Sequence, residues 1–430
     1  MKISPARSAA FDVLLAIDKE KAFSSVLLAK YGEPLSPQDR GLCHQLVLGT
    51  LRKQIYLDRL IAVLSKERKV DLEIRIALRL AIYQLKFLDR VPDHSAVNES
   101  VNLVQRARKS SARPFVNAVL RRLVREDVEI AFEDELDRVS AETSHPRWLI
   151  DKWTADLGTE TAFALARANN EPPPPAFRLL GSETQLENDV LKFAHESELV
   201  PGCYLADENN AELLRLANLN SIYLQDEGSQ MVAHAVDVQS RYRILDVCAS
   251  PGGKTGMIAQ KARKHGAFVV AGDFTKRRVE LLSENISRQD VSLGGIVQLD
   301  AEKNPPFDAF SFDRVFVDAP CTGTGTIRHN PELRYLVEPG DFGRFANKQL
   351  SILISASEMV RPGGELVYST CSLEREENEA VCERFLAQVR GFVAVNPRIP
   401  QRFITAEGFG RTRPDLDGMD GFFVAAFRRK

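Results

Sequence analysis

From residue 226 onward, short apolar runs alternate with helix-length segments, and this alternation limits the possible folds more than any other feature. The runs are YRILDVCA (242–249), AFVVAGD (267–273), GIVQLD (295–300), RVFVDAP (314–320) and ELVYSTC (365–371). Such spacing implies a mostly parallel, doubly wound sheet with helices on both faces. Sheets of this kind take ligands at the carboxyl ends of their strands. Here those ends carry acids and thiols: Asp246 and Cys248, Asp273, Asp300, Asp318 and Cys321, and Cys371. In a strand order 3-2-1-4-5, the fourth and fifth strands lie on one side of the first, so Asp318, Cys321 and Cys371 converge on the loop that follows strand one. The last run, GFFVAAF (421–427), suits an added antiparallel strand.

The first strand runs into DVCASPGGKT (246–255), a glycine-rich turn that opens a helix. A nucleotide triphosphate loop needs glycine where Cys248 stands, and a dinucleotide turn needs three glycines, so both readings weaken. Gly252 and Gly253 still allow close approach of the backbone to a ligand. Asp273 lies 20 residues after Gly253, where an acid accepts hydrogen bonds from ribose hydroxyls, and Asp300 is placed to face an adenine amino group. A strand-end Asp taken alone is as often a helix cap. Several in register with the turn point to an adenosine-containing ligand.

The front of the chain has a different texture. Residues 5–125 carry apolar residues at helical spacing, which predicts an all-helical domain. The formal net charge of −2 hides an asymmetry: residues 1–130 hold 23 Lys and Arg against 15 Asp and Glu, while the remainder holds 34 against 44. Gln105 to Glu126 concentrates Arg106, Arg108, Lys109, Arg113, Arg121, Arg122 and Arg125, which reads as a phosphate-binding or partner-binding face rather than a merely solvated one. Four prolines (172–175) break the helical pattern after HPRWLIDKW, and short apolar runs (AFRLL, LVPGCYLA, SIYLQ) around a helical piece, ENDVLKFA, suit a small α/β module. The expected domains are 1–140, 141–225 and 226–430.

Of the six cysteines, Cys43, Cys203 and Cys382 read as small core residues, and Cys248 as an unreactive part of the turn. Cys321 and Cys371, in Gly-, Ser- and Thr-rich loops, read as reactive. No paired ligand spacing suggests a metal, so none is expected. No apolar run approaches a membrane span, and the first residues resemble an amphipathic helix rather than a signal peptide. A cytoplasmic monomer is expected.

These residues resemble the RNA cytosine-5 methyltransferases of the Nop/Sun family, and among them the bacterial enzymes that act on 16S ribosomal RNA. DVCASPGGKT is similar to the family's cofactor motif, FVDAPCTGTGTIRHNPE (316–332) to its Pro-Cys motif and YSTCSLEREENE (368–379) to its Thr-Cys motif. QDEGSQ (225–230) resembles the segment opening the catalytic domain, and DGFFVAAFRR (420–429) its closing strand. Ser250 and Thr322 are small departures, standing where Ala and Ser are frequent. SPARSAAFDVLL, DRGLCHQLVLGTLR, ALRLAIYQLKFL and ARPFVNAVLRRL look like the helical NusB RNA-binding fold, and HPRWL through NNEPPPPAFRLL like an RRM-like module that helps to present RNA.

The resemblance implies a multidomain α and α/β protein: a NusB-like domain, an RRM-like module and a Rossmann-like class I methyltransferase domain. It implies S-adenosyl-L-methionine held by Cys248, Ala249, Ser250, Pro251, Gly252, Gly253, Lys254, Asp273, Asp300 and Asp318, with Arg278 a further candidate. Cys371 would be the nucleophile, Cys321 the thiol assisting release, and Asp318 the acid at the base. The chemistry accounts for the residue types. Carbon 5 of cytosine is a poor nucleophile until a thiolate adds at carbon 6. The substrate would be 16S rRNA before full assembly, with its cytosine unpaired or flipped out. In DNA cytosine-5 methyltransferases the Pro-Cys thiol attacks, so Cys321 stays open for that role. A tRNA substrate and a non-catalytic assembly scaffold are the alternative functions.

Overall fold

The computed structural model describes residues 3–181, 184–207, 211–303 and 305–430. The chain divides into two compact units, 1–171 with 327–337 and 172–326 with 338–430.

The first unit is helical, as its periodicity predicts. Seven helices, Pro5–Glu20, Ser24–Gly32, Pro37–Arg52, Gln54–Ser65, Leu72–Phe87, Asp93–Arg106 and Arg113–Arg125, share one apolar core that includes Phe11, Leu14, Leu46, Leu57, Ile76 and Leu120. Local chemistry sets several ends: the Ser36 hydroxyl accepts from the Asp39 amide at 3.1 Å, and Pro37 occupies the first turn, where its missing N–H loses nothing. Helices Glu135–Thr143, Arg147–Leu157 and Thr159–Ala168 also belong to this unit, so the segment expected at 141–225 is divided at its prolines rather than held together. Ile327–Val337 returns from the Pro-Cys region to the same unit.

The second unit opens with strands β1 (Ala176–Leu179), β2 (Ala194–Glu196), β3 (Cys203–Ala206) and β4 (Ile222–Leu224), with helices Thr184–Val190 and Ala211–Asn218 between them. Their antiparallel order, β2-β3-β1-β4, is the β-α-β-β-α-β arrangement expected of an RRM-like module. The segment ENDVLKFA ends its helix at Val190, and Ala194 begins a strand.

The large sheet contains β5 (Arg243–Asp246), β6 (Phe268–Asp273), β7 (Gly295–Gln298), β8 (Phe312–Asp318), β9 (Val360–Thr370), β10 (Phe392–Val395), β11 (Gly410–Arg411) and β12 (Phe423–Arg429). Its order is β10-β12-β9-β8-β5-β6-β7, with β11 pairing to β12. The parallel part reproduces the expected 3-2-1-4-5 order, and β12 runs antiparallel to β9. Residues 312–317 of β8 are all buried, as a central strand covered on both faces requires. Strand β10, the short apolar run FVAV, and the two-residue β11 are not among the strands read from sequence. Among the described residues no helix is long and apolar enough to cross a membrane.

Candidate active site

Asp246 closes β5 and organises the turn after it. Its carboxylate accepts from the Thr255 hydroxyl at 2.7 Å and the Cys248 amide at 3.2 Å. Burial pushes its pKa up to about 7, with Asp318 adding to the rise. Gly252 stands at φ +105° and precedes helix Gly253–His265, and a Cβ there would lie 3.0 Å from Leu282. Glycine is therefore required both by conformation and by space. Four successive carbonyls of the turn are held from outside: Ser250 by Arg278 at 2.8 Å, Pro251 by Asn285 at 2.9 Å, Gly252 by Gln289 at 3.2 Å and Gly253 by Arg178 at 3.4 Å.

Beside this turn lies a cavity of about 460 Å³. Cys248 and Ser250 line it, with Asp273, Asp300, Asp318, Cys321 and Cys371. Ala249, Pro251, Gly252, Gly253 and Lys254 do not. Ala249 is packed in the core, and Lys254 turns to Asp318. The Asp273 carboxylate accepts from the Ser250 amide at 2.9 Å, the Phe274 amide at 2.8 Å and Arg278 Nε at 2.6 Å, so its first task is to fix the turn, with a lone pair to spare for a ligand. Asp300 accepts from the Glu302 amide and pairs with Lys303 at 2.9 Å, within a turn that no helix follows among the described residues. Arg278 lines the same cavity. Burial pushes the Cys248 thiol well above its ordinary pKa, in keeping with an unreactive residue.

At the other wall, Cys321 Sγ and Cys371 Sγ are 3.3 Å apart, 50 residues distant in sequence. The hydrogen bond to Cys371 and burial hold the Cys321 thiol well above its ordinary pKa. Lys254 Nζ lies 2.9 Å from Asp318 Oδ2 and 4.9 Å from the centre of the Phe422 ring, while Ser369 Oγ donates to Asp318 Oδ1 at 2.7 Å. Burial opposes the Lys254 charge, but Asp318 and the two sulfurs outweigh it and keep its pKa raised.

Glu377 holds the two thiol loops together. It accepts from the Thr322 amide at 2.9 Å, the Thr322 hydroxyl, the Ser372 hydroxyl at 3.0 Å and Gln349 Nε2 at 3.1 Å. Gly325 donates its amide to Cys371 O at 2.9 Å, and a Cβ on it would strike Gly421 O.

The sequence profile of the family described as 16S rRNA methyltransferase RsmB/F matches residues 233–428, and that of the NusB family matches 4–125. A Bacillus subtilis protein named "Probable ribosomal RNA small subunit methyltransferase B" is 35% identical over 448 residues, covering 100% of both chains. The chain belongs to this RsmB/F methyltransferase family. A Thermus thermophilus relative, "Ribosomal RNA small subunit methyltransferase B", is 33% identical and covers 100% of this chain and 99% of its own. Among solved structures, PH0851 covers 100% of both chains at a TM-score of 0.84 and 23% identity. NSun6 from Pyrococcus horikoshii, solved with SFG, covers 66% of this chain and 98% of its own at 0.59 and 22%. These likenesses support the fold.

The acids and thiols singled out in the sequence stand at the strand ends around one cavity, and Lys254, in the turn, directs its ammonium to Asp318. Glu377 lies within the Thr-Cys motif, but nothing in the sequence marks it as an acceptor for both thiol loops. Gln349, Phe345 and Lys348, all from helix Pro339–Ser357, were missed. Phe345 and Lys348 line the cavity. Their spacing is that of an ordinary amphipathic helix, so no local signal marks them.

Proposed function

We propose that this enzyme methylates carbon 5 of a cytosine in 16S ribosomal RNA, with S-adenosylmethionine as donor and Cys371 as covalent nucleophile. The observation that carries the proposal is the 3.3 Å approach of Cys321 and Cys371 beside the Lys254–Asp318 pair, on the wall of a cavity shared with the glycine-rich turn.

The residues present fit such a donor. The cavity is of cofactor size, Val247, Leu299 and Ile352 give it apolar walls, and Asp273 and Asp300 stand at the ends of two adjacent strands. Bound there, S-adenosylmethionine supplies an electrophilic methyl group. The Cys371 thiolate adds to carbon 6 and loads electron density onto carbon 5. The Lys254–Asp318 pair holds a proton that cytosine N3 can share as negative charge develops on the ring. Once carbon 5 is methylated, its proton leaves to Cys321 or to a water that Cys321 orients. The electrons of that C–H bond restore the 5,6 double bond, and the carbon 6–sulfur pair returns to Cys371.

Exposed Arg108, Arg113, Arg121 and Arg125, none held in an ion pair among the described residues, support phosphate contact by the NusB domain. Arg106, Lys109 and Arg122 are already paired with Asp12, Asp71 and Glu126.

The test incubates wild type, Cys371→Ala and Cys321→Ala with unmodified 16S rRNA and labelled S-adenosylmethionine. Methyl transfer and denaturant-resistant protein–RNA adduct are scored. Adduct accumulating in Cys321→Ala, with neither adduct nor product in Cys371→Ala, is the expected outcome. The reverse pattern would exchange the two roles, and transfer by wild type to tRNA alone would replace the substrate.

A further inference from the structure

Arg178 is a buried cation without a carboxylate partner among the described residues. It sits on β1 at 3% exposure. Its Nε donates to Gln225 Oε1 at 3.2 Å, Nη1 to Gln260 Oε1 at 3.0 Å, and Nη2 to both Gln289 Oε1 and Gly253 O. The Tyr223 ring lies 5.0 Å from its guanidinium carbon. Burying a guanidinium among neutral acceptors, with no carboxylate to offset its charge, is costly.

The neighbours indicate what this arrangement accomplishes. Gln289 accepts from Arg178 with one end of its amide and donates to Gly252 O with the other. It also fills the space over Gly256, where a Cβ would lie 1.9 Å from its oxygen. Tyr223 closes on Gly253, 3.2 Å from where a Cβ would stand. Arg178 thus reaches Gly253 directly and Gly252 through one residue, and these are the two glycines that open the helix beside the cavity.

The strand that carries Arg178 belongs to an RRM-like sheet, whose face opposite its helices ordinarily stacks RNA bases on aromatic side chains. On β1, Phe177 packs on the helix side with Val190, Leu213 and Leu216. The other face presents Ala176 and Cys203, and these lie in one core cluster with Met231, Met257 and Ile258 of the methyltransferase helices. The face that would read RNA is therefore covered.

We propose that Arg178 is a positioning residue for the cofactor turn, and that the RRM-like module braces that turn through its sheet face instead of reading RNA with it. This rests on the assignment of the turn to S-adenosylmethionine.

The test uses the full chain and measures binding of sinefungin, a donor analogue, by calorimetry, together with separate KM values for donor and for 16S rRNA transcript. Arg178→Met is expected to weaken sinefungin binding about tenfold, because it leaves buried acceptors around the turn unpaired. The donor KM should rise in parallel, with the RNA KM unchanged and Arg178→Lys intermediate. Gln289→Asn, too short to span Arg178 and Gly252, should shift the same constants and decides the matter if Arg178→Met does not fold. A folded Arg178→Met or Gln289→Asn with wild-type sinefungin affinity would overturn the proposal. So would a raised RNA KM with donor binding intact, which would return the sheet face to RNA recognition. Failure of wild type itself to bind sinefungin would sink the cofactor reading and this proposal with it.

Discussion

Asp246 shows how one carboxyl can be set by its surroundings against the stability of the native protein. Its folded pKa of about 7 stands above the 3.8 of an exposed aspartate, chiefly through burial. Between those values the unfolded chain has released a proton that the native protein keeps, so stability falls as pH rises from about 4 to about 7 and is level beyond. Asp246→Asn removes this dependence. The Thr255 hydroxyl is also 3.2 Å from Ala249 O, so it can turn its proton there and accept from the new amide. The variant should unfold at a higher temperature than wild type at pH 8, by no more than about 4 kcal/mol, with the difference gone near pH 4. Calorimetric melts of both proteins across that range check it, and a gap that does not change with pH would refute the account. The acids at the strand ends were legible because each closes an apolar run a few residues long. Arg178 and Glu377 were not: Arg178 finds Gln289 111 residues away and Glu377 finds Thr322 55 away, and in sequence both look like surface residues.

At the scale of elements, the site depends on two strand-end loops meeting in one register. Strands β8 and β9 pair in parallel with Asp318 opposite Ser369, which sets Cys321 and Cys371 side by side. Strand pairing brings the loops together, and beyond the strands the Gly325 amide on Cys371 O and the side chain of Glu377 keep them closed. Glu377→Ala would leave the Thr322 amide and two hydroxyls unpaired inside the protein, a loss of about 3 kcal/mol. Catalytic turnover should fall as the thiols separate, while sinefungin affinity should hold, because the glycine-rich turn has other supports. Glu377→Gln, which keeps an acceptor for the Thr322 amide, should retain most of the stability. Equal melting temperatures for the Ala variant and wild type would remove Glu377 from this role. On the NusB helix Arg113–Arg125 and the turn before it, replacing Arg108, Arg113, Arg121 and Arg125 by Ala should weaken RNA binding. The slope of log affinity against log salt should become shallower by up to about three. An unchanged slope would place the phosphate contacts on another face. The net positive charge of residues 1–130 was visible in sequence, but which cations are already paired was not: Arg79 is buried against Asp18 and Asp58, and Arg59 pairs with Asp137.

At the scale of the whole molecule, the chain crosses between its two units more than once, so the linear domain plan does not describe a set of separable parts. The Pro-Cys segment leaves the sheet-bearing unit after Thr326, contributes Ile327–Val337 to the helical unit, and returns at Glu338. Its side chains are deeply committed there. Arg334, fully buried, donates to Thr143 O at 2.9 Å and Asn170 Oδ1 at 2.8 Å; the Tyr335 hydroxyl donates to Leu51 O at 2.7 Å; and Glu332 accepts from the Ser24 amide at 2.8 Å. Cutting the chain at residue 171 would strand a buried cation, a buried acid and a buried phenol at once, in a segment that begins six residues beyond Cys321. Residues 172–430 expressed alone should therefore melt at a lower temperature and form little adduct even on a short RNA carrying the target cytosine, where the NusB domain is not needed for capture. Supplying residues 1–171 as a separate polypeptide should restore both, because the missing partners are side-chain and carbonyl groups rather than a covalent link. A fragment 172–430 with full adduct yield and no response to added 1–171 would show that the Pro-Cys loop holds its geometry without the excursion. The helical unit would then act on RNA capture alone.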